Sequence, residues 1–205
     1  KEALIPKTGE IYIAYEQRCR NANAMDFDDL LMLTYRLFVE HEDVRRKWAE
    51  KFRFILVDEY QDTNKVQQQI VELLAEESHR VCAVGDDAQS IYAFRGATID
   101  NILNFNIVYP EAKLFKLEQN YRSTQRIVAA ANSLIKHNTQ QIPKNIFSEN
   151  AEGDMLTLKM TYSDKEEAAV VCKEIKRIKQ SEGGEYSDFV VLYRTNAQSR
   201  TFEEE

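Results

Sequence analysis

Asp58-Glu59 closes an apolar run, Phe54–Val57, and Gln61 and Asp62 follow within three residues. Phosphoryl transfer to water needs one carboxylate to hold magnesium and a second group to orient the attacking water. A single strand terminus can supply both. An acid pair on a solvated turn gives the same dipeptide, so the dipeptide alone does not decide the matter. The longer string LVDEYQDTN (56–64) is far more specific.

A second cluster, GDDAQSIYAFRGA (85–97), has the same layout. Gly85 permits a tight turn, and Asp86 and Gln89 can meet phosphate or water. Tyr92 and Phe94 lie two apart beside Arg95. Such rings either stack on single-stranded bases, at about 1–3 kcal/mol each, or fill a core. A third string, LEQNYRST (117–124), sets Tyr121 and Arg122 just before a helix. An arginine delivered across a cleft stabilises charge on a transferring phosphoryl group. A surface arginine beside a Ser/Thr cap fits the same residues.

The surrounding elements must hold these clusters in place. Residues 9–22 have helical spacing at Ile11, Tyr15 and Cys19. Asp26 is the predicted N-cap of a helix with Leu30, Leu33, Leu37 and Phe38 on one face. A short helix is expected over 44–51. Residues 52–59 and 80–84 read as buried parallel strands ending in acids, joined by a helix over 64–78. Tyr109-Pro110 breaks the pattern. A second unit then begins at KLFKL (113–117), with strands at 155–161 and 189–193 and helices at 124–137, 165–180 and from Ala197. The order indicates an α/β class with its site along one sheet edge. The ending Glu203-Glu204-Glu205 has no C-cap signal and reads as a helix cut short.

Bulk composition narrows the classes. With 43% hydrophobic and 30% charged residues, the chain is globular rather than disordered. No apolar run approaches the ~18 residues of a membrane span, and Lys1–Gly9 lack a signal peptide's apolar stretch. Three scattered cysteines, Cys19, Cys82 and Cys172, argue against disulfides and zinc and set a reducing cytoplasm as the expectation. The net charge of −7 excludes a broad basic face. Any contact with DNA must be a narrow track with stacking.

Taken in order, DFDDLL (26–31), LVDEYQDTN (56–64), VGDDAQSIYAFRGA (84–97), LEQNYRST (117–124) and LYRTNAQSR (192–200) resemble the UvrD/PcrA/Rep branch of superfamily 1 helicases over essentially the whole chain. The resemblance implies parts of two RecA-like (P-loop NTPase) parallel-sheet motor domains, with ATP between them and single-stranded DNA across their tops. It implies that residues 1–22 are the tail of the inserted helical subdomain 1B, 23–111 the C-terminal part of motor domain 1A, and 112–205 the N-terminal part of motor domain 2A. By the same likeness Asp58 holds magnesium, Glu59 activates water, Gln61 and Asp62 belong to that motif, and Gln89 senses the γ-phosphate. Tyr121 packs on adenine and Arg122 is the arginine finger. Tyr92, Phe94 and Arg95 stack on bases, while Arg194, Thr195 and Asn196 follow the DNA backbone. Two positions depart from the pattern: Phe94 where relatives often carry Trp, and Ala88 where many carry Asp.

The implied function is an ATP-dependent 3′ to 5′ DNA helicase and translocase acting on single-stranded DNA and duplex junctions in repair or replication. Three other readings use the same residues: a motor segment of a helicase–nuclease recombination subunit, a non-catalytic DNA-binding module, and a metal-dependent nuclease built on Asp58, Glu59, Asp62 and Asp86. Protein partners cannot be read from the sequence. The six glycines form no G-x-x-x-x-G-K-[ST] loop, the element whose amides and lysine hold nucleotide phosphates. The family likeness places that loop before residue 1. Its strand would flank residues 80–84, so these residues are expected to form an open sheet edge through which the stretch self-associates. The isolated 205-residue chain is expected not to hydrolyse ATP at a useful rate. A steady-state ATPase assay with single-stranded DNA checks this, and robust DNA-stimulated turnover by the chain alone would refute it.

Overall fold

The computed structural model describes residues 7–205. The chain divides into two compact units, one ending at Ala151 and the other spanning Glu152–Glu205.

The first unit opens with α1 (Thr8–Asn21), which buries none of its side chains; Tyr15 donates its hydroxyl to Asp26 at 2.9 Å. Helix α2 (Phe27–Glu40) starts at Asp26 in a reciprocal capping box. Asp29 N donates to Asp26 Oδ1 at 2.9 Å, and Asp26 N donates to Asp29 Oδ2 at 3.2 Å. Two orphan amides of the first turn are thus satisfied. Phe38 is the buried residue of α2, which packs against α3 (Glu42–Lys51) and α4 (Lys65–Ala75). Asn64 caps α4 through a second reciprocal box with Gln67. Arg45 ties α3 to Glu76 just past α4, at 2.9 Å.

Between these helices lie β1 (Ile55–Val57) and β2 (Val81–Ala83), paired in parallel with Ile55 opposite Val81 and Val57 opposite Ala83. Parallel pairing needs a crossover, and α4 supplies it. The β2 strand pairs only with β1 among the described residues, so its outer edge is open. Two one-turn helices, α5 (Asp100–Leu103) and α6 (Phe105–Val108), fall where the sequence gave no signal; four residues are too few for an amphipathic period to show. They pack against the 3-10 turn Tyr60–Asp62. Tyr60 is buried there, edge-on to Phe105 at 5.5 Å, and Phe105 in turn meets Tyr109 at 4.8 Å. Helix α7 (Gln125–Ile135) buries Val128 and completes the unit's helices.

The second unit contains α8 (Asp164–Glu182), capped by Ser163 and burying Ala168, and α9 (Ser199–Glu204), which packs on it. Residues 155–161 and 189–193 in the second unit form no ladder, contrary to the strands expected there, and residues 113–117 in the first unit form none either. Their apolar side chains lie open, as at Leu117, Leu158, Met160 and Leu192. Strand propensity needs a paired neighbour and a covered face to become a strand. Neither covers these segments.

Asn101, buried on α5, donates to Thr63 O and Thr63 Oγ1 at 3.1 Å and to Asn64 O at 3.3 Å. Its amide fixes the turn after β1 to the start of α4. Asn101→Leu removes that donor and strands buried acceptors, so it is expected to cost about 1–3 kcal/mol. Urea denaturation checks this; an unchanged midpoint would contradict it.

Candidate functional site

Because β1 and β2 run parallel, their carboxyl ends emerge side by side. The ladder continues past both strands: Val84 N donates to Val57 O at 2.8 Å, and Tyr60 N donates to Val84 O at 2.9 Å. Asp58-Glu59 and Gly85-Asp86-Asp87 are therefore adjacent. Asp58 is exposed and its carboxylate accepts the Glu59 amide at 2.9 Å. Glu59 adopts φ 49, a left-handed conformation uncommon for a residue with a side chain. Such strain persists only where the surroundings impose it.

Gln61 imposes it. The side chain is only 1% exposed. Its Nε2 donates to Glu59 Oε2 at 2.8 Å and to Asp62 Oδ2 at 3.4 Å, while its Oε1 accepts from Asp86 N at 3.0 Å. One buried amide thus braces both strand ends. Ser90 adds a bond from its hydroxyl to Gln61 O at 3.2 Å.

Asp86 receives Gln89 Nε2 at 2.8 Å, Ala88 N at 3.1 Å and Lys144 Nζ at 2.6 Å. Burial pushes the Asp86 carboxyl up, but hydrogen bonds from Lys144 and Gln89 outweigh it and hold the group below its ordinary range. Asp87 is buried, accepts Ile142 N at 2.9 Å and also pairs with Lys144. For Lys144, burial pulls the ammonium down, and Asp86 and Asp87 more than offset it, so its pKa is raised.

The aromatic pair is at the surface rather than in a core. Tyr92 and Phe94 have ring centroids 6.0 Å apart, with the Arg95 guanidinium 5.5 Å from each, and Phe94 is 69% exposed. Tyr121 is 78% exposed, its hydroxyl donating to Gln119 at 2.9 Å. The Asn120 side chain accepts the Arg122 and Ser123 amides at 2.9 and 2.7 Å and so shapes that turn. The Arg122 side chain is exposed and forms no ion pair among the described residues. In the second unit, Arg194, Thr195 and Asn196 are exposed, and Gln198 accepts the amides of Arg194 and Thr195 at 2.9 Å.

The site's cation capacity lies in its oxygens. Asp58 and Glu59 are exposed carboxylates, and Asp62 Oδ1 is buried without a hydrogen-bond partner. Carboxylate oxygens are the ligand type a hard divalent cation such as magnesium takes, but among the described residues no three His, Cys, Asp or Glu side chains converge to hold an ion by themselves. Lys144 and Asp87 carry no local signal in the sequence: a lone lysine beside Pro143 has no motif, and their contact joins residues 57 positions apart.

Comparison with known proteins places the chain in a family. Residues 2–110 match the UvrD/REP helicase N-terminal domain, and residues 115–205 match the UvrD-like helicase C-terminal domain. The chain is 47% identical over 195 residues to an ATP-dependent DNA helicase PcrA of Leuconostoc citreum. It is 47% identical over 194 residues to that of Staphylococcus epidermidis, and 46% over 194 residues to that of Staphylococcus aureus. Each match covers 95% of this chain but 26% of the relative, so the chain spans about a quarter of those proteins' length.

The brace requires glycine at position 85. A Cβ there would lie 2.5 Å from Gln61 Oε1, 2.9 Å from Ile102 Cδ1 and 3.1 Å from Tyr60 N. Gly85→Ala is therefore expected to displace Gln61 and destabilise the chain by about 1–3 kcal/mol. Thermal unfolding checks this, and a wild-type midpoint would contradict it.

Proposed function

The chain belongs to the UvrD/REP helicase family, and from that premise we propose that it is part of an ATP-driven motor that moves on single-stranded DNA. The observation that carries the proposal is the Gln61 brace. It sets Glu59 in a strained conformation beside the Asp86–Gln89 turn, at the edge where a RecA-like sheet binds its ligand.

In this reading ATP is the substrate. Asp58 holds magnesium, with Asp62 nearby. Magnesium, when bound, neutralises charge developing on the phosphoryl oxygens. Glu59 takes a proton from the attacking water. Gln61 acts through Glu59, because its own amide is occupied by Glu59, Asp62 and Asp86. Gln89, held by Asp86, reports on the γ-phosphate. Tyr121 offers its exposed ring to adenine, and Arg122 offers an unpaired guanidinium to the phosphates.

The exposed Tyr92–Phe94–Arg95 cluster stacks on bases of single-stranded DNA, and Arg194, Thr195 and Asn196 follow its backbone. Residues 1–22, 23–111 and 112–205 are proposed as the tail of an inserted subdomain and as parts of the first and second motor domains. Unwinding of duplex junctions, 3′ to 5′ polarity, a role in repair or replication and a cytoplasmic location complete the proposal for the whole protein. No helix among the described residues is long and apolar enough to cross a membrane.

Glu59→Gln in the full-length protein tests the assignment. It keeps the shape and removes the base. ATP binding is expected to persist, while DNA-stimulated turnover falls roughly 10²–10⁴-fold. Turnover at the wild-type rate would overturn the role given to Glu59.

A further inference from the structure

Lys144 reaches the end of β2 from a segment 57 residues further along the chain. Its side chain is 17% exposed, and it pairs with both Asp86 and Asp87. The Ile142 amide closes the same contact by donating to Asp87 Oδ2 at 2.9 Å. The segment around Lys144 is itself held. Lys116 Nζ donates to Pro143 O at 2.5 Å, and Asn145 N donates to Glu118 Oε1 at 2.7 Å. Phe147 N donates to Glu118 O at 2.9 Å, and Asn120 N donates to Phe147 O at 2.7 Å. Asn120 then shapes the turn carrying Arg122. Residues 142–147 therefore form a strap. One end grips the acid pair that orients Gln89, and the other grips the turn that presents Arg122.

We infer that Lys144 is a positioning residue that couples Gln89 to Arg122 through this strap. The inference rests on the motor reading, in which those two side chains face one phosphoryl group. The physical case is independent of that reading. Two adjacent carboxylates, one buried and one half-buried, need a cation, and Lys144 provides it. Asp86 is shared between Lys144 on Oδ1 and Gln89 on Oδ2. Removing the ammonium leaves Asp86 Oδ1 held by the Ala88 amide alone, so the acceptor of Gln89 is less firmly fixed. The strap end also loosens, and with it the register of residues 118–120. The doubled acid gives this strap two anchors where a single acid would give one.

The test uses the full-length protein and four forms: wild type, K144M, K144R and D87N. DNA-stimulated ATP turnover is measured with kcat and KM separated, together with the thermal midpoint. K144M is expected to lower kcat on the order of 10- to 100-fold, the scale of a small misplacement of reacting groups, with the larger change in kcat rather than in KM. K144R is expected to restore most of the rate, because a guanidinium can span two carboxylates. A second arm labels lysines with acetic anhydride and reads each site by mass spectrometry. In the wild type Lys144 is expected to react more slowly than exposed Lys159, and D87N is expected to speed its reaction.

Wild-type kcat in K144M would overturn the inference. So would a rate loss that matches the lost folded fraction and is not rescued by K144R, or Lys144 labelling as fast as Lys159. If the wild type shows no DNA-stimulated turnover, the motor reading fails and the coupling role falls with it. The labelling arm then separately reads whether the Lys144 contact exists.

Discussion

One buried primary amide holds the site together. A parallel strand pair brings two acidic turns side by side, but adjacency alone would leave them to repel and splay. The Gln61 side chain has both a donor and an acceptor and uses both: it donates a hydrogen bond to Glu59 and accepts one from the Asp86 amide. A carboxylate there would repel Glu59, and an aliphatic residue would leave the Asp86 amide unsatisfied in a buried place. The missing Cβ at Gly85 is the steric counterpart of the same contact. Tyr60 and Asn101 pack beneath it and fix the turn that carries Gln61.

Charge is the second organising constraint. Five acids, Asp58, Glu59, Asp62, Asp86 and Asp87, crowd two strand ends. They divide into two groups by how their charge is met. Lys144 neutralises Asp86 and Asp87 within the fold. Among the described residues Asp58, Glu59 and Asp62 have no basic partner, and Asp62 Oδ1 has no hydrogen-bond partner. The first group is structural and orients Gln89. The second, under the proposed function, is left for magnesium and water. The division explains how an acidic chain can keep one pair of acids rigid while leaving the rest available.

The sequence revealed those parts of the molecule whose signals are local. Asp26 capped its helix as expected, and the apolar runs ending in Asp58 and Gly85-Asp86 formed the parallel pair. The family strings pointed to the family whose domain models match the chain. Contacts that depend on distant residues were not legible. Gln61 looked like a ligand group because nothing in DEYQD says that its amide turns inward. Lys144 was invisible because its partners lie 57 and 58 residues away. The expected strands at 155–161 and 189–193 have the right composition, but pairing is a property of neighbours rather than of the segment. Tyr92 and Phe94 were ambiguous between core and surface, and only their exposure placed them.

The most direct measurement is a crystal structure of the full-length protein with magnesium and a non-hydrolysable ATP analogue. The account expects Asp58 in the coordination sphere of the ion, directly at about 2.0–2.1 Å or through one water. It also expects Glu59 beside the water facing the γ-phosphate, and the Gln61 amide still joining Glu59 to Asp86. A nucleotide bound elsewhere, with Asp58 and Glu59 turned to bulk solvent and Gln61 released from both strand ends, would contradict it.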